Sequence, residues 1–413
     1  MFLVRCLRES REYSRSKKLS SPLIFWYVFW GIIIIIARVD LGIYNLGDTW
    51  NDKLLGYVVI NSCSFYLAFI IVGHIYNMLK TSQVSTNKTR LAEPKLINDK
   101  KLAKITIIIF TISNIAFLLN SLYLRNIPQL SSAVNLNRIN FVNTPLFSIV
   151  NVSRIAFVFV PFLLSKKSNE INKKQIIIQT GISMIFNFLT GWRGYIFQIL
   201  IMLLTTKLLM TNWTIKIERK KERDLIVKSI IFALLLIGGV AVTRANSTSY
   251  ILEKSRYVQY TFEQIYLYVT PNFLNFQQAL NTIKPNNNFM YTSEFIWGLL
   301  IKSGNMPGYK PLSFSTGAFN VSTYLLHPYA DFGLFGTILW STLIGGISSF
   351  YFEKSRTNKS IINLVMVSIC NVTIFTMHNG FFLRSSSVVI WILIAIVVNR
   401  VSLKRNEVKL KLK

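Results

Sequence analysis

"FNFLTGWRGYIFQILIML" (residues 186–203) sets one arginine, Arg193, between two apolar half-runs and brackets it with Gly191 and Gly194. An ionised side chain is costly in hydrocarbon, so a charge placed here belongs at a membrane edge or in a polar cavity. The two glycines suit a tight turn and let a ligand approach the backbone closely. Read as the turn of a helical hairpin, this stretch sets the direction of each apolar block before and after it.

Those blocks dominate the chain. Of its 413 residues 52% are hydrophobic and only 15% are charged, against about 25% charged in an ordinary soluble domain. The apolar blocks are of bilayer-spanning length, roughly 17–25 residues. Runs such as 23–37 and 388–398 show no amphipathic period, which suits helices facing lipid or one another. The expected fold is therefore an all-α polytopic membrane protein. About ten transmembrane helices are expected, at 22–37, 54–79, 105–124, 146–165, 175–190, 194–210, 226–243, 332–352, 361–377 and 387–400. They divide the chain into an N-terminal bundle of about seven spans (1–243), a large loop between spans seven and eight (244–330), and C-terminal hairpins with a basic tail (331–413). No cleavable signal peptide is expected, because no small-residue cleavage site follows the first apolar run.

The net charge of +29 invites a nucleic-acid reading, and its placement argues against one. The segments on one side of the expected topology hold 33 of the 46 lysines and arginines, the opposite segments hold 12, and Arg154 lies inside a span. Basic loops are retained in the cytoplasm, so both termini are expected there, and the surplus charge serves topology and attraction to anionic lipid heads. No nucleic-acid partner is expected. "TGWRG" then falls on the outer side, with Arg193 at the membrane edge.

The 244–330 loop is outer as well. Its "YVQYTFEQIYLYVTPNFLNFQQAL" (257–280) is aromatic-rich and is expected to form amphipathic helices at the membrane interface. The Pro-, Gly- and Asn-rich remainder is expected to form ordered turns. The outer side also gathers His327, Asp331, His378 and Arg384, with Arg138, Arg244 and Arg256. Each has a structural reading: His378 as a helix cap, Arg384 and Arg244 as snorkelling chains, and His327 with Asp331 as an i, i+4 hydrogen bond. Arg154, in "FSIVNVSRIAFVFVPF" (147–162), lies about halfway across its span, either as an internal lock or as the lining of a cavity that receives an anion. His74 and the cysteines Cys6, Cys63 and Cys370 are given no functional role.

No HExxH, paired cysteines or carboxylate cluster is present, so no metal is expected. No P-loop or strand-linked GxGxxG supports a nucleotide, and no cofactor is expected. An arginine-lined cavity with few acids suits a lipid-attached anion, because the guanidinium fork binds phosphate bidentately and stays charged.

"NVSTYLLHPYADFGLFGTILWSTLIGG" (320–346) resembles the C-terminal stretch of Wzy-type oligosaccharide repeat-unit polymerases, the O-antigen, capsule and exopolysaccharide polymerases, through Thr323, Tyr324, Asp331, Phe332, Gly333 and Gly336. "TGWRG" is similar to that family's Gly-x-Arg turn, carried by Gly191 and Arg193. The resemblance implies a metal-independent, inverting glycosyltransferase of GT-C-like plan in a bacterial plasma membrane. It would join undecaprenyl-pyrophosphate-linked glycans, donor to acceptor, alongside flippase and chain-length-regulator proteins. Arg193, Arg154, Arg244, Arg256, Arg384 and Arg138 would hold pyrophosphate or glycan. His378, Asp331 and His327 are candidates for the base, with His378 favoured because neutral imidazole accepts a proton near neutral pH.

Two rivals stand. A flippase for lipid-linked oligosaccharides predicts internal repeats and broken midplane helices, and no repeat relates the two halves. An O-antigen ligase shares the GT-C plan and is poorly separated by sequence. A membrane acyltransferase would need a histidine deeper in the membrane.

Overall fold

A computed structural model describes residues 21–38, 50–86, 97–131, 134–166, 171–210, 257–294, 322–377 and 387–403, together with Asp224, Lys228 and Leu312. Among these residues the architecture is all-helical. In chain order the helices are α1 (Pro22–Arg38), α2 (Asp52–Thr86), α3 (Asp99–Tyr123), α4 (Val134–Val142), α5 (Pro145–Ser165), α6 (Lys173–Leu189), α7 (Arg193–Met210), α8 (Tyr257–Thr282), α9 (Leu326–Thr357), α10 (Ile361–Phe375) and α11 (Ser387–Val401). Nine of the ten expected spans fall on helices; the other, 226–243, lies almost wholly outside the described residues. Four helices, α2, α3, α5 and α9, are long and apolar enough to cross a membrane, and α1, α7, α10 and α11 are shorter apolar helices.

The helix starts follow local capping chemistry. Thr144 Oγ1 accepts the Phe147 N–H ahead of Pro145 at the first position of α5. Asn98, Asn172 and Ser360 accept equivalent amides at the starts of α3, α6 and α10. Each satisfies a backbone donor that the helix itself leaves free.

Burial sorts the helices into centre and rim. In α5, 72% of the most apolar stretch is buried, against 33% in α2. Nearly every residue of α10 from Ile361 to Ile374 is buried, which makes it the central helix against α7, α9 and α11. At the rim, α2 exposes Ile71, Ile75 and Leu79, and α3 exposes Ile108, Ile112 and Ile115. Such continuous apolar faces suit hydrocarbon, not water.

The long α2 and α9 pack along each other, joined by buried polar groups. Asn61 Nδ2 donates to Thr337 Oγ1 (3.2 Å), Ser341 Oγ donates to Asn61 Oδ1 (2.9 Å), and the Tyr324 hydroxyl lies 3.0 Å from Ser341 Oγ. Serine and asparagine in apolar helices serve here as interhelical contacts.

The segment expected at the membrane interface departs from expectation. It forms one helix, α8, whose second half is buried in the bundle: Phe273 stacks on Trp50 and tilts against Trp30, while Phe276 meets Tyr57 and Tyr329 edge-on. Its aromatic content fills a core between α1, α2 and α9, because large rings bury more area against other rings than on a surface.

Different elements meet at the two ends of the bundle. One end gathers the α6–α7 turn, the starts of α2, α5 and α9 and the end of α10. At the other, Lys166 lies 3.9 Å from Asp99, burial and nearby Lys166 lower the Lys359 pKa, and Ile97 pairs with Leu403.

Candidate functional site

Arg154 lies nine residues into α5, about 14 Å along the axis at 1.5 Å per residue. Helical side chains lean toward the helix N-terminus, so its guanidinium reaches back toward the α6–α7 turn. Nε donates to Asn187 Oδ1 (3.4 Å) near the end of α6, and Nη1 donates to Gln198 Oε1 (3.0 Å) in the second turn of α7. The Tyr195 ring covers its face, with Cζ 3.3 Å from the ring centroid. Arg154 is only 2% exposed, and Nη2 is buried without a hydrogen-bond partner. Among the described residues no carboxylate pairs with it. Two neutral amides and Tyr195, through its ring and its hydroxyl, hold a buried cation and leave Nη2 without a partner, although buried charges are ordinarily paired with an opposite charge.

The column continues toward the bundle end. Trp192 stacks on Tyr195 at 5.6 Å, and Arg138 of α4 lies over the Trp192 ring at 4.6 Å. Gly191 turns the chain at φ +76, a conformation that glycine adopts without steric cost. Thr190 Oγ1 bonds the Asn187 carbonyl in the same turn. Arg193 opens α7 directly above; its side chain lies outside what the structure describes. One turn before Arg154, Asn151 bonds Ser387 of α11, and Trp391 Nε1 donates to the Asn151 carbonyl (3.2 Å).

A second cluster stands at the start of α9. The helix breaks at Phe332 and at Gly333, whose φ is +61. The break frees the carbonyls of Ala330 and Asp331 from the helical ladder, and they accept the N–H groups of Asn286 (3.0 Å) and Asn287 (2.7 Å) instead. The fully buried Asp331 carboxylate accepts the Tyr291 N–H on Oδ1 (3.0 Å) and the Thr292 N–H on Oδ2 (2.6 Å). Burial first and the Asp331 charge second raise the Tyr291 phenol above its ordinary pKa. His327, one turn earlier, directs Nε2 toward Glu294 Oε2 at 3.7 Å, with the Tyr291 ring edge-on at 6.4 Å. His327 and Asp331 do share a face, as expected, and both turn it to the same connecting segment.

The end of α10 lies between the two clusters. Phe375 packs on Phe197, next to Gln198, and the Met377 carbonyl accepts the Tyr324 N–H (2.9 Å). Of the expected site residues, Arg154 and Arg138 come together beside the turn that carries Arg193, and His327 and Asp331 form the second cluster. His378, Arg244, Arg256 and Arg384 lie outside the described residues. Sequence reasoning missed Asn187, Gln198, Tyr195 and Trp192, although Asn187 and Gln198 are polar interruptions of the apolar runs beside the turn. It also missed Glu294, one of three acids between residues 244 and 330. Among the described residues no group of three or more His, Cys, Asp or Glu could hold a metal ion.

No protein-family model matches the chain, and neither a curated protein nor a solved structure matches it.

Proposed function

We propose that the protein polymerises undecaprenyl-pyrophosphate-linked oligosaccharide repeat units into surface polysaccharide at the outer face of a bacterial plasma membrane. In this reading ten spans of GT-C-like plan cross the membrane and both termini are cytoplasmic. Arg154 and the turn that carries Arg193 lie toward the outer side.

One observation carries the reading: a fully buried arginine with neutral partners and an unfilled Nη2 donor. Such a group suits an anion that arrives with the substrate. A pyrophosphate offers paired oxygens to the fork, and a lipid tail would lie along the apolar rim. The acceptor hydroxyl attacks the anomeric carbon of the donor's first sugar. Its new C–O bond forms as the bond from that carbon to the pyrophosphate oxygen breaks. The pyrophosphate leaves with the electron pair, and a base takes the hydroxyl proton. Preorganised arginine in a dry site stabilises the departing charge. No metal or cofactor enters this scheme.

The experiment is deletion of the gene followed by analysis of lipid-linked glycans. Single repeat units accumulating on the outer face support polymerisation. Accumulation on the inner face supports flipping and overturns it. Full-length polymer left on the carrier lipid would move the reading to a ligase.

A further inference from the structure

Arg154 Nη2 has a counterpart of opposite kind on the same helix. Asn151 stands one turn earlier in α5, and its Oδ1 is likewise buried without a hydrogen-bond partner. One atom is a donor, the other an acceptor, and they do not bond each other. Side chains three apart on a helix are neighbours, with Cβ atoms about 5–6 Å apart. The Arg154 side chain leans toward the helix N-terminus, the direction in which Asn151 lies.

Both side chains are held from outside α5. Asn187, Gln198 and Tyr195 hold the guanidinium. Asn151 Nδ2 donates to Ser387 Oγ, and Trp391 Nε1 donates to the Asn151 carbonyl, so α11 holds the amide nitrogen and the backbone. Oδ1 is the atom left over. Asparagine oxygens without a partner also occur at Asn120, Asn363 and Asn399. Among the described residues, none of those three has an unpartnered donor one turn away on its own helix.

We propose that Asn151 is a specificity-determining residue for the sugar attached to the diphosphate: its Oδ1 accepts a hydrogen bond from the hydroxyl or amide N–H at C2. The inference rests on the diphosphate reading of Arg154 above. A ligand that fills both atoms must carry an acceptor and a donor close together. An ionised diphosphate alone supplies acceptors only. A glycosyl diphosphate supplies both, because the C2 substituent adjoins the anomeric carbon that carries the diphosphate oxygen. A buried acceptor discriminates against a ligand without the matching donor, since its oxygen then stays desolvated and empty. A single bridging water is the competing occupant.

The test titrates the full chain in detergent micelles with farnesyl diphosphate and with farnesyl-diphosphate-linked glucose and 2-deoxy-2-fluoroglucose. Fluorine is close to a hydroxyl in size and donates nothing. The glucose probe is expected to bind roughly 10-fold more tightly than the fluoro probe. Asn151→Leu should bind both sugars equally and farnesyl diphosphate as the unmodified chain does, whereas Arg154→Met should lose all three. Equal affinity for the two sugars in the unmodified chain assigns Oδ1 to water and overturns the proposal, whether or not Asn151→Leu folds. So does a preference that survives in Asn151→Leu while farnesyl diphosphate binds normally. If the unmodified chain does not bind farnesyl diphosphate, the diphosphate reading fails and takes this inference with it. If it binds that probe without telling the sugars apart, only the inference fails.

Discussion

Arg154 and Asp331 are both buried charges at the same end of the bundle, 2% and 0% exposed. Their surroundings treat them in opposite ways. Asp331 receives a backbone N–H on each carboxylate oxygen and stands at a helix break that docks a connecting segment. Arg154 donates to two neutral side-chain amide oxygens and lies against an aromatic face, and one terminal nitrogen remains without a partner. A saturated buried charge is a fastener, since removing it strands its partners. An undersaturated one keeps binding capacity in reserve, at a desolvation cost that folding alone does not recover. Satisfaction, more than burial, separates the two.

The contrast is sharpest at Arg154. Arg154→Met fills a similar volume without a charge, so polymer formation should drop about 10²–10³-fold, the cost of losing one preorganised donor. Thermal midpoint should fall only modestly, because the Asn187 and Gln198 amide oxygens lose a donor while the cost of burying a charge is removed. Arg154→Lys should lose activity comparably, since it lacks the fork. A steep fall in midpoint for Arg154→Met would make this residue a fastener too and erase the comparison.

Asp331→Ala tests the other side. The amides of Tyr291 and Thr292 lose their acceptors, at about 2–4 kcal/mol for two buried donors. Hydrogen exchange should accelerate at those two amides and across 286–294, with little change around Gln198. Unchanged exchange at Tyr291 and Thr292 would show that other contacts hold the segment.

The smallest effect belongs to Gly333→Ala. At φ +61 an added Cβ would stand 3.3 Å from Pro285 Cγ, and the left-handed backbone costs a non-glycine residue about 1–2 kcal/mol. Thermal unfolding should show a loss of that size, below the loss for Asp331→Ala. A neutral result would mean the break in α9 depends on the carboxylate alone.

Much of the site was visible in outline and little of it in detail. The turn at Gly191 was legible because glycine, arginine and the flanking apolar runs are local signals. Arg154 stood out as a charge within a span. The break in α9 was not legible: "ADFGLFG" reads as an entry into a helix, whereas α9 begins at Leu326 and is interrupted at Phe332 and Gly333. Tertiary docking of residues 286–292 supplies the hydrogen bonds that make the interruption tolerable. The misplacement of α8 has a related cause, since an amphipathic aromatic helix carries the same pattern whether its apolar face meets lipid or other helices.

By itself the sequence determined the helical class, the positions of nine helices and the hairpin turn. Each depends on hydropathy, capping or charge along a short stretch of chain. Only the tertiary structure decided which groups meet. Gln198 reaches Arg154 across 44 residues, and Tyr291 and Thr292 reach Asp331 across 40 and 39. Those meetings depend on how each helix is rotated and where it is broken. The apolar helices here have little periodic pattern to specify rotation, so packing against neighbours sets it.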